Sequence, residues 1–177
     1  MHPAKRTFLA INLLGGGAVL ASYFIGFTVR QDAGQELWGG VPESLRSYYT
    51  LGMLFAAAGY FVFSLFILRL NPAEVKVGQW NGYRLFNRLF TAILIPSALW
   101  LPLSFWAIDR SSPGLGWLVR LDLAVVALAS VGLAAALAKV QPRQPLWAQR
   151  LALLGTLAFC FQTVLLDAII WGLFFRP

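Results

Sequence analysis

Residues 96–110 read PSALWLPLSFWAIDR, and they close an apolar run, 89–108, that is long enough to cross a bilayer. A hydrocarbon core of about 30 Å needs roughly 20 predominantly apolar residues in a helix. This run meets that length, although it contains two prolines, two tryptophans and two serines and is followed at once by an acid-base pair. Four further runs of the same kind stand at about 8–29, 49–68, 117–138 and 151–174. The composition agrees: 59% of the 177 residues are hydrophobic and 12% are charged, with a mean hydropathy of +0.69. Soluble domains do not reach such values. The reading is an all-α, single-domain integral membrane bundle of five transmembrane helices over residues 1–177.

Lys5 and Arg6 precede the first run, as they would in a signal peptide. The run exceeds the usual length of such a segment and no small-x-small cleavage site follows, so it is expected to stay as the first span. The net charge of +7 comes from residues at span ends and forms no single basic patch, which argues against nucleic acid. Lys5, Arg6, Arg69, Lys76, Arg84, Arg88, Lys139, Arg143 and Arg150 outnumber Arg30, Arg46, Arg110, Arg120 and Arg176 on the other side. Positive residues favour the cytoplasm. The N-terminus is therefore expected in the cytoplasm and the C-terminus outside, in an inner or plasma membrane.

The connections follow turn chemistry at Asn71-Pro72, Ser111-Ser112-Pro113-Gly114 and Gln141-Pro142-Arg143-Gln144-Pro145. Segment 73–88 carries Trp80, Tyr83 and Phe86 among basic residues and reads as an interfacial anchor. Loop 30–47 holds Trp38-Gly39-Gly40-Val41-Pro42, a compact turn with an aromatic tip, suited to a lid.

Several membrane chemistries are excluded by residue type. The single histidine is His2, so no haem is held by histidines within the bilayer, and Lys5, Lys76 and Lys139 lie at or beyond span ends, where no retinal Schiff base forms. One cysteine, Cys160, permits no internal disulfide or cysteine cluster and reads as a small core residue. Gly15-Gly16-Gly17 falls inside the first span and reads as helix packing, not as a nucleotide loop. No metal, cofactor or catalytic site is expected.

Polar groups at membrane depth remain. Asp167 lies inside the fifth span, where a charge costs about 2.5–3.5 kcal/mol on insertion scales. At α-helical spacing Thr156, Cys160, Thr163, Asp167 and Trp171 share one stripe. Asp122 sits roughly 8 Å inside the outer end of the fourth span and Asp167 roughly 10 Å inside that of the fifth, so the carboxylates share a depth. Ser97 and Trp100 reach the same layer, as do Tyr48, Tyr49 and Gly52. Pro96 and Pro102 free the carbonyls of Ala92 and Ala98, which is tolerated at membrane depth beside a cavity or a neighbouring helix. Asp122 has an alternative reading as the partner of Arg120 or Arg110, and the tryptophans as interface anchors.

This arrangement resembles the five-helix translocator proteins, the TspO or peripheral benzodiazepine receptor family. Their third span carries a pattern like N-x-x-W-x-P-x-x-F, against Ser97, Trp100, Pro102 and Phe105 here. Leu121-Asp122-Leu123 looks like the start of their fourth. Their fifth, like P-Y-x-x-W-x-x-F-A-x-x-L-N-x-x-x-W, meets Gly155, Thr156, Phe159, Gln162, Thr163, Leu166, Asp167 and Trp171, of which Leu166 and Trp171 are identical. Leu51, Ala58 and Tyr60 are similar in the second span. Their first-loop signature is reduced to Trp38 and Pro42, and Ser97 and Asp167 replace asparagines.

The resemblance implies an outer-half pocket for flat apolar molecules, tetrapyrroles or sterols, capped by the first loop, often in a homodimer. Trp38 would close the lid, Trp100 and Trp171 would offer stacking faces, and Asp122 and Asp167 would be polar partners. The candidate ligand-binding set is Trp38, Tyr49, Ser97, Trp100, Phe105, Asp122, Thr163, Asp167 and Trp171. Three functions stay open: a binding or carrier protein for a hydrophobic small molecule, a structural subunit of a larger membrane complex, and an intramembrane sterol-type isomerase with Asp122 and Asp167 as acid and base.

Overall fold

A computed structural model describes residues 1–142 and 145–177. Arg143 and Gln144, part of the expected turn and of the charge count, lie outside the described residues. Among the described residues, five helices are long and apolar enough to cross a membrane. They are α1 (Pro3–Val29), α3 (Glu43–Arg69), α4 (Gly82–Arg110), α5 (Pro113–Lys139) and α6 (Leu146–Cys160), the last continuing through a π-helical segment, Phe161–Trp171, into the short α7 (Gly172–Phe174). A sixth, short helix, α2 (Ala33–Trp38), lies in the first loop. The chain is an all-α, multi-pass membrane protein. An odd number of spans puts its two ends on opposite faces.

Each spanning helix begins before its apolar stretch, at a proline or a capping polar residue outside the hydrocarbon. Pro3 and Pro113 stand at first helical positions, where a missing N–H is harmless. The Asn81 side chain accepts from the Arg84 amide at 3.0 Å and starts α4 seven residues before the expected boundary. This corrects the reading of 73–88 as an interfacial anchor. Lys76–Val77 and Trp80–Asn81 form a hairpin, β1 and β2, and β1 also pairs with β3 (Val140–Gln141). Trp80 is exposed, but Tyr83 and Phe86 are fully buried. The Tyr83 hydroxyl donates to the Ile67 carbonyl at 2.7 Å, so its polar end is satisfied by protein and not by the membrane interface.

The half of the bundle nearest the N-terminus is solid. Phe8, Phe63, Tyr83, Phe86 and Phe90 pack there with Ile67, Leu133 and Leu137, with Phe8 edge-on to Phe90 at 4.7 Å. The Tyr60 hydroxyl donates to Asn12 Oδ1 at 2.5 Å and ties α3 to α1 at this end.

Helix order around the bundle is α1, α4, α5, α6, α3. α1 packs on α4 and has little close backbone contact with α3. A close backbone approach joins α3 to α6, where Gly59 faces Gly155 with no room for a Cβ on either. In the Gly15-Gly16-Gly17 run only Gly15 packs, against Leu94, while Gly16 and Gly17 face open space.

Candidate functional site

A cavity of about 420 Å³ lies in the half of the bundle away from the N-terminus. Its walls are Val19, Tyr23 and Phe27 of α1, Tyr49, Met53, Ala56 and Ala57 of α3, Ser97 and Trp100 of α4, and Leu123 and Val126 of α5. Phe159, Gln162, Thr163, Asp167 and Trp171 line it from the last span, and Gly34, Leu37 and Trp38 from α2. Seven of the nine candidate residues line this cavity: Trp38, Tyr49, Ser97, Trp100, Thr163, Asp167 and Trp171.

Phe105 and Asp122 do not line it. Phe105 is buried with Ala33, Leu37 and Leu101 beneath α2, its ring carrying the Arg30 guanidinium 4.5 Å from its centroid. Asp122 stands next to the wall residue Leu123, with its Oδ2 buried and unpartnered. Nor does it pair with Arg120, whose guanidinium donates to the carbonyls of Gly172 at 2.8 Å and Phe175 at 2.6 Å, satisfying the end of the last helix. The described ion pairs join Arg30 to Glu36 and Asp109, and Arg46 to Glu43. Arg110 is absent from them.

The π-helical turn decides which polar groups meet. Its hydrogen bonds run i→i+5, so residues five apart come over one another, where in an α-helix they diverge. Gln162 and Asp167 are brought together this way, and Gln162 Nε2 donates to Asp167 Oδ1 at 2.7 Å. The α-helical stripe therefore shifts. Gln162 takes a place in it, while Thr156 and Cys160 do not line the cavity. Gln162 Oε1 lies against the α-carbon of Gly52 on α3, so the glutamine wedges between two helices and holds one carboxylate oxygen. The sequence signal for it was an amide at membrane depth.

Three of the cavity hydroxyls are bonded to backbone. Ser97 donates to Ile93 at 2.7 Å, Thr163 to Phe159 at 3.0 Å and Tyr49 to Leu166 at 2.7 Å. Pro96 and Pro102 remain within one helix, with Ser97 and Ser104 bonding the carbonyls of Ile93 and Trp100 beside them. The stretch 96–110 thus divides by role: Trp100 walls the cavity, Phe105 supports α2, and Asp109 anchors Arg30.

The cover joins a short helix, α2, which the sequence did not suggest, to the compact turn at Trp38-Gly39-Gly40-Val41 that it did, closed by the Val41 amide donating to the Trp38 carbonyl at 2.9 Å. Leu37 and Trp38 of α2 sit over the cavity, and the Trp171 indole N–H donates to the Leu37 carbonyl at 2.8 Å. Trp38 is edge-on to Tyr49 at 5.3 Å, with the Arg46 guanidinium 5.6 Å from its ring centroid. Trp171 does not offer a free stacking face on both sides, because Phe175 stacks on it at 4.3 Å and Trp100 meets it edge-on at 5.4 Å. Trp100 Nε1 is buried with no partner.

Fold and site together define a class: multi-pass membrane proteins with an aromatic-walled cavity inside the bundle. Comparison with protein-family models, characterised proteins and solved structures returns no match for this chain.

Proposed function

We propose that the protein binds or carries a hydrophobic, ring-bearing small molecule within the membrane. The observation that supports this is the cavity itself. Its volume of about 420 Å³ falls in the range of about 300–1,000 Å³ typical of small-molecule sites, and its make-up, apolar and aromatic walls with few polar groups, is theirs too. Tyr23 and Phe27 of α1 and Met53 of α3 are exposed on the outside of the bundle as well as lining the cavity. An apolar ligand would enter there from the lipid. We place the pocket in the outer leaflet, with the N-terminus cytoplasmic, from the distribution of Lys and Arg.

The resemblance to the TspO family, carried by Trp100, Pro102, Phe105, Leu121-Asp122-Leu123, Leu166 and Trp171, supports the same reading, with tetrapyrroles or sterols as expected ligands and a homodimer as the expected assembly. A sterol-type isomerase has less support, because only one of its two carboxylates lines the cavity.

The test uses 1-pyrenemethanol, a flat neutral fluorophore, titrated into the protein in zwitterionic nanodiscs. Trp100→Leu removes a wall ring and is expected to weaken binding at least tenfold with the thermal unfolding midpoint little changed. Equal affinity in both proteins would contradict the proposal.

A further inference from the structure

The polar end of the cavity is chemically lopsided. Asp167 is its one ionisable carboxyl, and no lysine or arginine is among the residues that line it. Gln162 occupies one carboxylate oxygen through Nε2, while its own Oε1 is turned onto Gly52. Among the described residues every ion pair lies elsewhere. Arg120 is held by backbone carbonyls, and Arg46 covers the Trp38 ring without lining the cavity. The rings of Tyr23, Tyr49 and Trp100 share the cavity with this uncompensated carboxyl.

Aromatic faces carry negative charge density and attract cations, most strongly where water is excluded. A carboxylate in the same space strengthens that preference, and both repel an anion. A neutral ligand leaves the carboxyl without a counter-charge in a medium that penalises it. Resting on the binding function proposed above, we propose that this cavity selects organic cations: ligands with an apolar ring body among the aromatic walls and a protonated amine at Asp167. The same chemistry disfavours ring compounds with carboxylate side chains, acidic tetrapyrroles among them, and narrows the ligand class set out above.

A matched pair of probes tests this. 1-Pyrenemethylamine and 1-pyrenemethanol share one ring system and differ in the ammonium group. Each is titrated into wild-type protein and Asp167→Asn in zwitterionic nanodiscs, with empty nanodiscs correcting for partition. The wild type is expected to bind the amine at least tenfold more tightly than the alcohol, and Asp167→Asn to bring the two within about threefold by weakening the amine alone. Tight binding of both probes by the wild type without preference would overturn the cation inference and leave the binding function standing. A preference retained in Asp167→Asn would also overturn it. Binding of neither probe would overturn both. The wild-type ratio does not depend on the variant folding, so the inference stays exposed even if Asp167→Asn is unstable.

Discussion

Replacing Trp171 by Phe should free the cover of the cavity without emptying its wall. The phenyl ring keeps the contact with Phe175, whose ring stacks on Trp171 at 4.3 Å. What disappears is the indole donor to the Leu37 carbonyl, a 2.8 Å bond between residues 134 positions apart. A net hydrogen bond contributes about 0.5–1.5 kcal/mol, and a buried acceptor left unsatisfied raises the loss to about 1–3 kcal/mol. Leu37 is buried but sits at the end of the bundle, within reach of water, so we expect about 1–2 kcal/mol here. That corresponds to a rise of about 5- to 30-fold in the local opening of α2. Hydrogen exchange followed by mass spectrometry reads it directly: amides of 33–41 should exchange faster by that factor, while those of α4 and α5 should not change. Unchanged exchange in α2 would refute the latch. A rise shared equally by all spans would mean that Trp171 serves general stability instead.

Other outcomes follow from the packing. Gly59→Ala places a Cβ about 2.8 Å from the Gly155 carbonyl carbon; backbone cannot yield as a side chain does, so we expect a loss of about 1–3 kcal/mol in denaturant unfolding, and a loss below about 0.3 kcal/mol would show that α3 and α6 separate freely. Tyr83→Phe deletes the bond to Ile67 inside the solid half and should cost about 1–2 kcal/mol while leaving pyrene-probe affinity unchanged; reduced affinity would mean that the two halves of the bundle are not independent. In a Cys160→Ala background, a membrane-impermeant thiol reagent applied to intact cells should label a cysteine placed at 177 but not one placed at 2. Labelling of both would contradict five spans.

The spans were legible because bilayer thickness sets helix length regardless of partner, and the runs around residues 20, 60, 100, 128 and 162 carry that signal. Their ends were not. Asn81 and Ser112 cap helices outside the hydrocarbon, where hydropathy has no say. Trp100, Thr163, Asp167 and Trp171 could be read as cavity residues because polar and amphipathic side chains are expensive at that depth. Gln162 fell outside the reading because α-helical geometry turns it away from Asp167. The i→i+5 turn that joins them follows from no residue pattern in Phe161–Trp171 that we can identify. Tyr83 and Phe86 were misplaced for a related reason. An aromatic near basic residues suits an interface, and only the start of α4 at Gly82 shows these two rings turned inward. The latch from Trp171 to Leu37 spans most of the chain, which no local pattern encodes.

The central claim is that the cavity walled by Trp100 and Trp171 holds a small molecule. Native mass spectrometry of the protein released gently from its own membrane tests it most directly. A monomer or dimer carrying a few hundred daltons of non-lipid mass is expected, with that mass lost in Trp100→Leu. A spectrum in which the chain appears bare, or only bound to other protein chains, would contradict the account and make the aromatic rings of 96–110 a packing feature.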